Sequence, residues 1–228
     1  MNIQQDNQNN ISGSCTSSYS IPKAKYRPNE LIFTRVGPLR INMEISARSK
    51  DHHPLYSIDI TGLFSDTTEI TLYTGSKKDE HVLGRCRFNK FRTSEMQISL
   101  HGGGSSRMVW IKHHDYYRWS VPREPEAGDK AAILEEKYFL WKATEQPPSL
   151  SGNRVFQNLE LCDMDNDVVY AAYSGAAPGT KDGGHLLLRD DLGQDFTAMV
   201  ILTLSGLIEK ERQKRARKGN YTIGMLAY

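Results

Sequence analysis

From Asn29 onward the chain alternates apolar and polar residues with a period of two. Ile41, Met43 and Ile45 alternate with Asn42, Glu44 and Ser46, and Tyr56, Ile58 and Ile60 with Ser57 and Asp59. Val82, Gly84, Cys86 and Phe88 alternate with Arg85 and Arg87, and Met96, Ile98 and Leu100 with Gln97 and Ser99. Tyr117, Trp119 and Val121 alternate with Arg118 and Ser120. Successive side chains of a strand point to opposite faces, so each run predicts a half-buried strand with one wet face. Turn signals at Val36-Gly37-Pro38, Thr74-Gly75-Ser76 and Gly102-Gly103-Gly104 separate the runs. Candidate strands centre near Ile32, Met43, Ile58, Ile70, Val82, Ile98, Val109, Trp119, Phe139, Leu159, Val169 and Leu187. That is about twelve, at the short regular spacing of an all-β sandwich or barrel.

Near the end the period changes. Phe196 to Ile208 is thirteen residues without a charge, apolar on every side. Asp195 is a candidate N-cap, or at least an acid favourable at a helix start. Gly219 is a candidate stop, giving a helix over about 195–217. Thirteen helical residues rise about 20 Å, against a hydrocarbon core of about 30 Å, so this predicts a buried core helix rather than a membrane span. A helix apolar all round must be covered, and a closed barrel of about twelve strands is wide enough to hold one. The expectation is a mainly β protein: an antiparallel barrel closed around a buried hydrophobic C-terminal helix. Residues 1–28, rich in Asn, Gln and Ser, read as a disordered polar tail, and 29–228 as a single barrel domain.

The composition fits a globular chain. Of 228 residues, 38% are hydrophobic and 25% charged, and the net charge is +2, too small for the global basic field of a nucleic-acid binder. Cys15, Cys86 and Cys162 are odd in number and lack metal-site spacing, so they read as thiols without a role. With no apolar segment at the N-terminus, the expectation is a cytoplasmic protein, at most peripheral to a membrane.

Candidate chemistry is sparse. Asp163-Met164-Asp165-Asn166-Asp167 has the alternating carboxylates of a calcium loop, but an EF-hand needs Gly and Glu where this chain has Val168 and Ser174. A hairpin turn is the plainer reading. His52-His53, His101 and His113-His114 read as turn or surface residues, since neighbours on a strand face opposite ways. Gly102-Gly103-Gly104-Ser105-Ser106 lacks the lysine and helix of a P-loop and reads as a hairpin connection. No nucleophile elbow is present. These readings lead to a protein without catalytic residues, metal or cofactor. The strongest charge asymmetry is Lys210, Arg212, Lys214, Arg215, Arg217 and Lys218, which with Glu209 and Glu211 sum to +4 and leave −2 elsewhere. Lys210, Lys214 and Lys218 are spaced to line one helical face. The two readings are a contact for anionic lipid headgroups through Lys210, Lys214, Arg215, Arg217 and Lys218, and a solvated helix end that suits the macrodipole.

Two further stretches, Lys137-Tyr138-Phe139-Leu140-Trp141-Lys142 and Leu161-Cys162-Asp163 to Val169-Tyr170-Ala171, precede the apolar helix. In that order they resemble the tubby-like superfamily of tubby C-terminal domains, LURP-one-related proteins and phospholipid scramblases, most of all its small fungal members. The resemblance covers about Asn29 to Lys218. It implies a twelve-stranded barrel around a C-terminal helix, and phosphoinositide-type headgroups as a ligand class; the tubby basic pocket does not map onto residues here. The functional expectation is a non-enzymatic module that recognises anionic headgroups or a protein partner at a membrane surface. The alternatives are an adaptor without lipid binding and a scramblase-like lipid translocator.

Overall fold

The structure, a computed structural model, describes residues 30–37, 41–47, 53–62, 65–76, 81–89, 94–102, 105–111, 116–122, 136–144, 158–176, 181–189 and 192–225, with helix side chains as far as residue 216. The expected N-terminal tail lies outside the described residues, as do Cys15, His52, His113 and His114.

Twelve strands follow one another along the chain. They are β1 (Glu30–Val36), β2 (Asn42–Ala47), β3 (Tyr56–Thr61), β4 (Thr67–Thr74), β5 (Val82–Asn89) and β6 (Glu95–Leu100). Then come β7 (Ser105–Ile111), β8 (Tyr116–Pro122), β9 (Glu136–Ala143), β10 (Asn158–Asp163), β11 (Val169–Ser174) and β12 (Asp182–Leu188). Each pairs antiparallel with its neighbours in the chain, and β1 pairs with β12, so the sheet closes without an edge. The period-two pattern sets the register against the core: Met43, Ile45, Ile58, Cys86, Met96, Ile98 and Trp119 point inward and are buried.

Helix α1 (Gln194–Met225) fills the barrel. Every residue from Thr197 to Leu207 is buried, as an all-round apolar helix requires. Enclosing Val200, Ile201, Leu202 and Leu204 completely contributes about 1.5–3 kcal/mol for each side chain. At one mouth Phe196 packs against Trp119, Phe139 and Tyr170, with ring centroids 5.6, 4.9 and 5.6 Å away. The helix lies nearest β4, β5 and β6. Two glycines permit this approach: a Cβ on Gly84 would sit 2.8 Å from Leu202 Cδ1, and one on Gly206 2.6 Å from Met96 Sδ. The polar residues of the helix are satisfied inside the barrel. Trp141 Nε1 donates to Thr203 Oγ1 at 2.9 Å, Thr203 in turn donates to Met199 O at 2.8 Å, and Ser205 donates to Ile201 O at 2.7 Å.

The helix ends differ from the sequence reading. Asp195 does not cap the helix but lies in its first turn, the acid at a helix start that the sequence offered as the alternative, because the first intrahelical acceptor is Gly193 O, which Thr197 N reaches at 3.0 Å. Gly219 does not stop the helix, which runs to Met225. A glycine within a helix costs only about 1 kcal/mol, and no proline follows to force an end. Ile208, expected to be enclosed, is only partly buried, because the helix is leaving the barrel there. Among the described residues no helix is long and apolar enough to cross a membrane.

Candidate functional site

The basic segment of α1 emerges where β4 and β8 begin and β5 ends, and the barrel rim divides its cations. Lys210 turns into the mouth, with Nζ over the rings of Phe88 and Tyr117 at 5.6 and 5.8 Å. Burial pulls its pKa down to about 8, against the opposing influence of Cys86 and Glu95. Arg212 grips Glu209, with Nε 2.6 Å from Oε2 and Nη2 2.7 Å from Oε1. Glu209 is only 1% exposed and also accepts from Gln213 Nε2 at 2.8 Å. The same Gln213 nitrogen reaches Thr68 Oγ1 at 2.9 Å, which ties the helix to β4. Lys214 and Arg215 point outward and share Glu211 at 3.7 and 3.2 Å. Arg217 and Lys218 lie on the helical backbone, with side chains beyond those described. Lys210 and Lys214 therefore do not act as one exposed row.

The acidic run is a turn between β10 and β11, as expected. Asp163 is fully buried; its Oδ1 accepts from Asp165 N at 2.9 Å and its Oδ2 lies 2.9 Å from Lys137 Nζ. Asn166 Oδ1 accepts from Val168 N at 3.0 Å, and Asp167, at φ 56°, lies 3.3 Å from Lys142. The carboxylates thus serve the turn and two lysines, and do not converge. Among the described residues no group of three or more His, Cys, Asp or Glu is arranged to hold a metal. His101 sits exposed in the β6–β7 turn. Cys86 and Cys162 are buried free thiols, and burial pushes Cys86 up to about 12, far from a thiolate at neutral pH.

The feature that sequence reasoning did not assemble lies on the outer wall. Residues of β5 to β9 line a groove of about 750 Å³ whose margin carries Arg85, Arg87, Arg107 and Arg118. The inward positions Gly84, Cys86 and Phe88 force Arg85 and Arg87 outward on β5. The register then sets Arg87 beside Gln97 and Gln97 beside Arg107, and Arg85 beside Ser99 and Ser99 beside Ser105. Neighbouring strands are about 4.8 Å apart, so the backbones of Arg87 and Arg107 stand about 10 Å from one another. Arg118, on β8, lies over the Tyr138 ring at 4.9 Å. Tyr138 donates to Glu136 at 2.7 Å, and this bond first, then one from Ser120, holds the Glu136 carboxyl below its ordinary range.

Among the described residues three carboxylates lie near these four guanidinium groups. Glu69 on β4 serves two, pairing with Arg87 and lying 3.6 Å from Arg85. Glu95 lies 3.7 Å from Arg107, and the Arg118 charge adds, after the two hydrogen bonds, to the lowering of the Glu136 carboxyl. Arg85, Arg87 and Arg107 are 48%, 57% and 64% exposed. An exposed pair such as Arg107–Glu95 is worth only about 0.2–1 kcal/mol and exchanges readily, whereas Glu69 is 23% exposed and accepts a hydrogen bond from Arg87. An incoming anion can therefore compete with Glu69 and Glu95 for these arginines, with serine hydroxyls at Ser99, Ser105 and Ser120 beside them. The Arg-x-Arg of β5 and Arg118 were legible as wet-face residues. Arg107 joins them only once β5 to β8 are known to be consecutive neighbours. Ser105 and Ser106, read in the sequence as part of a hairpin connection, line the groove as side chains at the start of β7; Ser106 Oγ donates to Ser120 O at 2.6 Å.

No protein-family model, curated protein or solved structure matches the chain.

Proposed function

We propose that this barrel is a non-enzymatic binding module that takes an anionic phosphate-bearing headgroup into the Arg85–Arg87–Arg107–Arg118 groove, at the surface of a membrane. The observation that carries the reading is the groove itself: four arginines on one wall, with Glu69, Glu95 and Glu136 the carboxylates near them among the described residues. Guanidinium groups match phosphate oxygens in pairs, which makes arginine the residue suited to such recognition. The exposed Lys214 and Arg215, on the helix that emerges near Glu95, supply a second, less specific attraction to the same surface. The tubby-like resemblance, with its phosphoinositide-type ligands, points the same way. On this reading the chain is peripheral to the membrane, and α1 remains inside the barrel.

The test is flotation of the purified protein with vesicles of phosphatidylcholine alone or mixed with phosphatidic acid, across a salt titration. Binding to the anionic vesicles that weakens with salt, and that is lost in Arg85→Gln/Arg87→Gln, supports the proposal. Wild-type protein that never floats at low salt sinks it and leaves the barrel as a protein-binding adaptor.

A further inference from the structure

Resting on that reading, we infer that Glu69, which holds Arg85 and Arg87 from the β4 side of the groove, is a competing anion that sets the class of ligand: it favours phosphomonoesters, which carry more than one charge, over singly charged anions. Among the described residues one carboxylate, Glu69, serves both Arg85 and Arg87, so the positive charge of the wall is least balanced there. Glu69 stands directly across from Arg87 in the β4–β5 register and reaches both guanidinium groups from the β4 side of the groove.

Displacement is an exchange. A singly charged anion, such as the phosphodiester of phosphatidylglycerol, replaces one carboxylate charge with one phosphate charge. The two arginines gain nothing from that trade beyond what Glu69 already provides. A phosphomonoester carries about −1.5 to −2 at pH 7 and has three oxygens, so it meets both guanidinium groups and still gains on the carboxylate it displaces. An exposed ion pair of this kind is worth a factor of up to about five in an equilibrium constant. The two that Glu69 makes form a threshold that a monoanion does not clear. The same phosphomonoester chemistry is found on a lipid and on free phosphate, and the groove reads that shared group.

The experiment compares wild type, Glu69→Gln and Arg85→Gln/Arg87→Gln on phosphatidic acid vesicles and phosphatidylglycerol vesicles matched for surface charge, with inorganic phosphate as a soluble competitor. Wild type is expected to prefer phosphatidic acid. Glu69→Gln should raise affinity for phosphatidylglycerol about three- to fivefold and for phosphatidic acid by less, so the preference narrows. Competition by inorganic phosphate supports the ligand class and shows that the free ion suffices; no competition, with the preference kept, supports it with the lipid surface required. A preference that Glu69→Gln leaves unchanged overturns the role of Glu69 while the groove stands, provided the double arginine variant still loses binding. If the double arginine variant binds like wild type, the groove itself is the wrong site and the inference falls with it.

Discussion

Replacing Arg212 by Gln tests how far the basic helix end is structural. Glu209 is 1% exposed and is held by Arg212 at 2.6 and 2.7 Å and by Gln213 at 2.8 Å. Removing one partner of a buried ion pair costs about 3–5 kcal/mol, because the remaining charge is left without compensation. Two features reduce that figure: Arg212 is itself 34% exposed, and Gln213 still donates. A loss of about 2 kcal/mol follows, and for a chain of this size it lowers the melting temperature by about 4–8 °C. Lys214→Gln is the control, since its pair with Glu211 is 3.7 Å long and mostly wet; it should move the melt by less than about 2 °C. Glu209→Gln/Arg212→Gln should recover part of the loss, because it leaves no buried charge. Calorimetry on the four proteins decides the matter. An Arg212→Gln protein that melts with the Lys214→Gln control, or a double variant less stable than the single, would refute the view that Arg212 anchors the helix at the rim.

Thr203→Val keeps the shape of the side chain but removes the acceptor for Trp141 Nε1, 2.9 Å away in the core. The stranded donor should cost about 1–3 kcal/mol in urea unfolding, and an unchanged midpoint would show that the bond contributes nothing. Lys210, with its pKa drawn from 10.5 down to about 8 by burial, favours the neutral amine in the folded state. The unfolded chain therefore holds more protons between those two values, and folding stability gains as pH rises through that window. Wild type should become more stable relative to Lys210→Met between pH 8 and 10.5, and a difference that stays flat with pH would contradict the burial of the amine.

The wall of the barrel was legible because each strand has one wet and one dry face. Met43 and Ile45, or Met96 and Ile98, declare their direction by alternation alone, and every expected strand centre falls within a strand of the barrel. The helix was legible because a stretch apolar on all sides has few places to go, and its length argued for a protein interior. Where the helix ends was harder to read, since Gly219 can stop a helix but needs packing or a following proline to make it do so. The basic cluster showed as composition, but its partners did not. Lys210 lies over Phe88 and Tyr117, residues distant in the chain that only the closed barrel gathers at one rim. The groove was hidden for the same reason. Arg85, Arg87, Arg107 and Arg118 stand on three strands, and their sharing of Glu69, Glu95 and Glu136 depends on register, which alternation does not supply.

The most direct test of the central claim is a footprint of the arginines themselves. The folded protein, free and bound to phosphatidic acid vesicles, is treated with a guanidinium-selective dicarbonyl reagent, and the rate of modification at each arginine is read by mass spectrometry. The account predicts that Arg85, Arg87, Arg107 and Arg118 are protected together on binding, more strongly than Arg215 at the helix end. Vesicle-bound protein in which these four react as fast as in the free state, with protection confined to the helix end, would contradict it.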